Sequence, residues 1–196
     1  MRYRNVRNKE RRRKQSITMG QYYKAVSLDT KQFISPFGAK LMEHSWLNSS
    51  SLLQVEQLLS PGNPWHKTKI VWTGDYADKE LFTGDPERNL YDLAADEFLN
   101  LTEAPTTDGP RPLYIVNHTK NIYIKMSEVP DIRGKDNKGW KIHPLSILTS
   151  SGNGRGGGDY RDDDDTNVGS WAGDVISSEY DEPVGMDKFT AFFTED

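Results

Sequence analysis

Val26-Ser27-Leu28-Asp29-Thr30-Lys31-Gln32-Phe33-Ile34 opens on a β-branched residue, crosses a polar stretch and closes on an aromatic-Ile pair. Residues 22–26 and 32–34 are rich in aromatic and β-branched side chains, and the Leu-Asp-Thr-Lys between them suits a turn, so the segment reads as a β-hairpin. A second stretch, Val116-Asn117-His118-Thr119-Lys120-Asn121-Ile122-Tyr123-Ile124, has the same form, with apolar residues alternating over 113–116 and 122–126. Each hairpin is followed downstream by Trp-x-Gly-Asp, first Trp72-Thr73-Gly74-Asp75 and later Trp171-Ala172-Gly173-Asp174. A lone hairpin cannot bury its apolar face, so the recurrence predicts two degenerate half-repeats, about 20–101 and 113–190, packed as one pseudo-symmetric unit. The expected fold class is α+β, β-rich and mostly antiparallel, with a hairpin and a WxGD strand end in each half and one or two helices.

The helices are expected between the hairpins. Ser49-Ser50-Ser51 can cap a helix over 52–59, whose apolar positions 52, 53, 55, 58 and 59 have helical spacing, and Pro61-Gly62 ends it. Residues 69–72 read as a short strand closed by Thr73-Gly74-Asp75. A second helix is expected over about 86–101, with Asp85 as N-cap, Pro86 at the first helical position and Leu90, Leu93, Ala94, Phe98 and Leu101 on one face. Residues 102–112, with three prolines and Asp108-Gly109, read as a linker.

Composition bounds the function. The chain of 196 residues is long enough for one ordinary domain, here 19–196. Its longest apolar runs are far short of a membrane span, and no apolar stretch follows the N-terminal charges, so neither span nor signal peptide is expected. The absence of cysteine excludes disulfides, thiol nucleophiles and Cys-based zinc sites, and fits a cytoplasmic location. The net charge of -4 conceals an asymmetry, because Arg2, Arg4, Arg7, Lys9, Arg11, Arg12, Arg13 and Lys14 face only Glu10 within residues 1–18. That arm has no apolar stripe with which to dock on a core, so it is expected to be disordered when free and to act only through charge. Nucleic-acid phosphates are one partner it could neutralise; the alternative is a solvated tail.

Met19-Gly20-Gln21-Tyr22-Tyr23, the Val116–Lys120 segment, the run from His143-Pro144-Leu145 through Gly152-Asn153-Gly154-Arg155-Gly156-Gly157-Gly158-Asp159-Tyr160, and Ser170-Trp171-Ala172-Gly173-Asp174 together carry a resemblance. They resemble a family of small uncharacterised proteins of bacteria, bacteriophages and some fungi. The resemblance covers 19 to about 190 and implies no particular activity.

The glycine run is the most functional-looking segment. Five glycines in seven residues cost folding entropy, which a chain tolerates where backbone amides must approach a phosphate or another anion. Asn153, Arg155, Gly156, Gly157, Gly158 and Asp159 are therefore candidate ligand-binding residues, with Arg155 supplying a fork of donors. The segment lacks the Gly-Lys-Ser/Thr ending of a P-loop, and a plain connecting loop is the competing reading. Asp163, Asp165, Asn167 and Asp174 occupy positions 1, 3, 5 and 12 of a calcium-loop pattern and could hold Ca or Mg, although Val168 stands where the sharp turn needs glycine. Asp75 and Asp174 could act as paired carboxylates if the halves face one another. His44, His66, His118 and His143 show no metal-ligand spacing, and no serine stands in Gly-x-Ser-x-Gly. The reading that follows is a non-enzymatic binding or interaction protein, carried by a phage or another mobile element, that engages a protein or a phosphate-bearing ligand through the Gly-rich loop. The alternative is a nucleotide- or phosphate-handling enzyme that uses Arg155, Asp159 and Asp174 with a divalent metal.

Overall fold

The computed structural model describes residues 21–36, 38–46, 49–79, 81–103, 109–129, 131–133, 139–152 and 167–190. In chain order the first half holds strands β1 (Tyr23–Ser27) and β2 (Gln32–Ile34), helices α1 (Leu41–Ser45) and α2 (Ser50–Leu58), strand β3 (Thr68–Gly74), helix α3 (Leu90–Glu97) and strand β4 (Leu99–Asn100). The second holds β5 (Tyr114–Asn117), β6 (Ile122–Lys125), β7 (Asp131–Arg133), β8 (Gly139–Lys141), helix α4 (Pro144–Leu148), β9 (Ser150–Ser151), β10 (Val175–Glu179) and β11 (Asp187–Lys188). The protein is α+β, and the described residues contain four helices where one or two were expected.

Both hairpins form, and they anchor one mixed sheet in the order β11-β6-β5-β10-β3-β1-β2-β4, with β9 beside the C-terminal part of β3. Most pairings are antiparallel; β4 on β2, β11 on β6 and β9 on β3 are parallel. The hairpins share a register, Val26 opposite Phe33 and Val116 opposite Tyr123. Each turn ends on a residue in the left-handed region, Lys31 at φ 52° and Asn121 at φ 58°. Their edge strands also dock alike, β4 against Gln32 and Phe33, β11 against Ile122 and Tyr123.

The Trp-x-Gly-Asp motifs do not follow this correspondence. Trp72 lies within β3 and Val26 faces Val71, whereas Val116 faces Ser177 and residues 171–174 form a turn that precedes β10. The second motif is therefore not a strand end. Each glycine answers to a different neighbour. A Cβ on Gly173, which sits at φ 78°, would come within 2.6 Å of the Phe82 ring, and a Cβ on Gly74 would overlap the Gln21 side chain.

The second expected helix is shorter than its pattern. It starts at Leu90, because the Asn89 side chain accepts a hydrogen bond from the Asp92 amide at 2.9 Å and caps it. Asp85 is not the cap. Its carboxylate accepts from the Glu87 amide at 2.9 Å and from Arg88 Nε at 2.8 Å, closing a local turn ahead of the helix. Beyond Glu97, the Leu99 amide donates to the Lys31 carbonyl and the Leu101 amide to the Phe33 carbonyl, so sheet pairing takes residues the helical pattern had claimed.

The inner face of the sheet buries Tyr23, Ala25, Ile70, Trp72, Ile115 and Ile176 against Leu41 of α1, Leu52 and Val55 of α2, and Leu145, Ile147 and Leu148 of α4. Burying side chains of this size stabilises by roughly 1.5–3 kcal/mol each. The outer face divides. Over the first half, α3 lays Leu90 and Ala94 on Val26, Phe33 and Val71; over the second, Tyr114, Val116 and Tyr123 pack with Met186 instead. Among the described residues no helix is long and apolar enough to cross a membrane.

Candidate functional site

Helix α2 packs through Leu52, Val55 and Leu59, each fully buried, and Glu56 falls on the same stripe with only 1% of its surface exposed. A lone carboxylate there would be untenable, and Glu56 has two partners. His143 Nε2 donates to Oε1 at 2.8 Å, while Arg111 donates to Oε2 from Nε at 3.0 Å and from the guanidinium end at 2.9 Å. His143 is held in turn, since its Nδ1 accepts from the Leu145 amide at 3.2 Å as it caps α4. That bond leaves Nε2 as the protonated nitrogen facing Glu56. Burial alone would raise the Glu56 carboxyl, but His143 and Arg111 outweigh it and hold the group below its ordinary range.

Arg111 is one of the residues that line a groove of about 300 Å³. Leu53, Pro110, Pro112 and Tyr180 give it apolar walls, and Ser60 and Asn63 give it polar ones. Leu53 and Tyr180 are each 37% exposed. The groove is divided about equally between apolar and polar groups, and a perturbed carboxylate lies beside it, a combination found where ligands are held.

A second polar cluster lies on the outer face of β10. Ser177 donates to Glu179 Oε1 at 2.6 Å, because an ionised carboxylate can only accept. His118 Nε2 is 2.8 Å from the Ser177 oxygen and His66 Nε2 is 2.9 Å from Glu179 Oε1, and both act as donors. Burial, reinforced by Lys67, lowers the His118 imidazole. For Glu179, burial acts upward, but the Ser177 and His66 bonds prevail and hold it low. The row ties the β5–β6 turn, β10 and the loop before β3 together across the middle of the sheet.

The first half carries its own buried polar groups. His44 donates from Nε2 to the Tyr23 carbonyl at 3.0 Å, accepts from Ser51 at 2.9 Å, and is lowered by burial to about 4. Lys24, 3% exposed beneath α3, donates to the Tyr91 carbonyl at 3.0 Å and lies 3.6 Å from the centre of the Tyr91 ring; burial lowers it to about 8.

Asn153, Arg155, Gly156, Gly157, Gly158, Asp159, Asp163 and Asp165, and the arm residues Arg2 to Lys14, lie outside the described residues. The two ends of that Gly-rich segment are described. The Gly152 carbonyl accepts from the Asp78 amide, and past Asn167 the amides of Gly169 and Trp171 donate to carbonyls of Ile147 and Leu148. Asp174 is committed elsewhere, with Lys120 and Asn117 on its Oδ2 at 2.7 and 2.8 Å. Among the described residues no group of three His, Asp or Glu side chains could hold a metal ion. Asp75 and Asp174 are not a pair: Asp75 follows the C-terminal end of β3 and bonds the Tyr22 amide, whereas the Asp174 carbonyl meets Ile70 nearer the other end.

Sequence reasoning missed Glu56, Arg111 and the His118–Ser177–Glu179–His66 row. For Glu56 a signal existed, a charge on the stripe of Leu52, Val55 and Leu59. The row joins residues that are up to 113 positions apart and left none. No family model matches the chain, and no curated protein and no solved structure matches it.

Proposed function

We propose that this is a non-enzymatic binding protein and that its ligand or partner is held in the groove that Arg111 helps to line. The observation that carries the reading is Glu56, a fully buried carboxylate whose two oxygens are spent on orienting Arg111 and on His143. Buried ion pairs contribute little net stability, so a motive beyond stability is expected for one placed under a groove. Saturation-transfer NMR with a mixed library of small fragments tests it. Fragments that bind the protein should lose binding in Leu53→Arg, which fills the groove from its rim. Hits unaffected by that change, or a library without hits, would overturn the reading.

A second contact through residues 153–166 is favoured by the backbone bonds that fix both flanks of that segment. We also read the hairpins as degenerate copies of one unit, on their common register and their matching left-handed residues. The family resemblance, the phage or mobile-element origin and the cytoplasmic location belong to the same reading.

A further inference from the structure

We propose that the basic arm of residues 1–18 docks on the acidic outward face of α3 in its own chain and pairs there with Asp92 and Asp96. Leu90 and Ala94 turn the helix onto the sheet, which leaves Asp92, Ala95, Asp96 and Glu97 exposed. The loop before it adds Asp78, Asp85 and Glu87. The described cations beside these acids are already committed. Arg88 pairs with Asp85, Asp96 and Glu97, Lys79 lies 3.8 Å from Glu87, and Lys24 is buried beneath the helix on the Tyr91 carbonyl. Among the described residues no ion pair includes Asp92, and Asp96, 67% exposed, meets Arg88 only at 3.7 Å.

This charge pattern works against the helix. Asp92 and Asp96 are one turn apart and repel. Asp96 and Glu97 stand at the C-terminal end, where the helix dipole favours cations and the last turn has none. A basic segment laid along the face offsets both effects. Of the stretches outside the described residues only the arm is strongly basic, with eight Lys/Arg against Glu10, whereas 153–166 sets two arginines against five aspartates. The arm also joins the fold beside the helix. The Tyr22 amide donates to Asp75 Oδ1 at 3.2 Å, and the Asp75 carbonyl accepts from Asn89, the cap of α3, at 3.1 Å. The eight residues of α3 span about 12 Å. The chain from Lys14 to Gln21 reaches up to about 23 Å when extended, so Arg11, Arg12, Arg13 and Lys14 can lie along the whole face. Exposed ion pairs are individually weak, but the tether holds these cations near the helix at an effective concentration on the order of millimolar.

The chain has no cysteine, so Asn8→Cys gives a single site for a nitroxide label in the full-length protein. In amide NMR spectra the label should broaden Asp92, Ala95 and Asp96 and spare Asp187, which lies at the opposite edge of the sheet. The broadening should vanish in 1 M NaCl, where the screening length falls to about 3 Å. Most of it should also be lost in Asp92→Asn/Asp96→Asn, which changes exposed side chains only. Spin-labelled protein mixed with isotope-labelled protein that carries no nitroxide should broaden nothing. Broadening in that mixture would place the contact between two chains and overturn docking within one. No broadening, broadening spread evenly over the described residues, or broadening centred away from α3 would overturn the contact. Broadening at α3 that survives both salt and the double substitution would overturn its electrostatic basis.

Discussion

The two halves of the sheet are built on one strand pattern and finished differently. Each has a hairpin in the same register, a third antiparallel strand and a two-residue parallel edge, and the halves meet at β10 and β3. On the outer face the first half is roofed by α3, which seals Lys24 and Thr73 beneath it, the latter with a hydroxyl that makes no hydrogen bond. The strands of the second half carry the row His118–Ser177–Glu179–His66, to which the loop before β3 lends His66 and in which each side chain has a hydrogen-bond partner. Alternating apolar residues set the pairing in both. What differs is polar chemistry, and it is set by whatever segment lies over the strands.

The largest expected effect is the response of the first half to pH. His44 is lowered from 6.5 to about 4 and Lys24 from 10.5 to about 8, each chiefly by burial. In both windows the unfolded chain binds more protons than the folded one, so stability rises with pH from 4 to 6.5 and again from 8 to 10.5. The His44 contribution is fully present above pH 6.5 and is lost as pH falls to about 4, a change on the order of 3 kcal/mol. Urea midpoints measured across pH, with NMR titration of each imidazole, check this. An His44 ring that titrates near 6.5, or a flat acid limb, would show that the first half does not bury its histidine as described. Lys24→Met should remove the alkaline rise and leave the acid limb.

Paired hydroxyl deletions come next. Ser177→Ala removes the centre of the row, strands a His118 donor and leaves Glu179 Oε1 with His66 alone, so it should cost about 1–2 kcal/mol. Thr73→Val removes a buried hydroxyl that has no partner and keeps the shape, so it should be neutral or stabilise by less than about 1 kcal/mol. Chemical denaturation of both variants reads the difference. Equal costs would mean that the two outer faces are polar in the same way, and the contrast between the halves would fail.

The hairpins, the α2 stripe and the central strand were legible because short-range rules govern them: alternation, turn chemistry, and a helix stop at Pro61-Gly62. The start of α3 was misplaced although Asn89 offered a cap as good as Asp85, since only the Arg88 contact to Asp85 and the pairing of Leu99 and Leu101 with the first hairpin decide between them. The Trp-x-Gly-Asp match misled for a related reason, as the two glycines meet different partners, Gln21 and Phe82, that the local string does not contain. The site was the least legible part. Its members are 55 positions apart for Arg111 and 87 for His143, counted from Glu56, and only the misplaced charge on the α2 stripe hinted at them.

The smallest effect is the sharpest test of the hairpin correspondence. Lys31 and Asn121 occupy the same place in their turns, at φ 52° and 58°, where a side chain is strained and glycine is not. If backbone alone mattered, glycine would help equally at both. Asn tolerates the left-handed region better than Lys, so less strain is available to relieve at position 121. Asn121 also donates from its side chain to the Gly185 carbonyl at 3.1 Å, a bond that glycine would delete. Against both gains stands the extra freedom that glycine gives the unfolded chain. Lys31→Gly should therefore stabilise by up to about 1 kcal/mol, and Asn121→Gly should be neutral or slightly destabilising. Melting curves of the two variants and their double mutant separate the contributions, which should add because the turns share no partner. A loss of stability from Lys31→Gly would mean that the first turn does not hold a left-handed residue, and the matching of the two hairpins, residue for residue, would have to be given up.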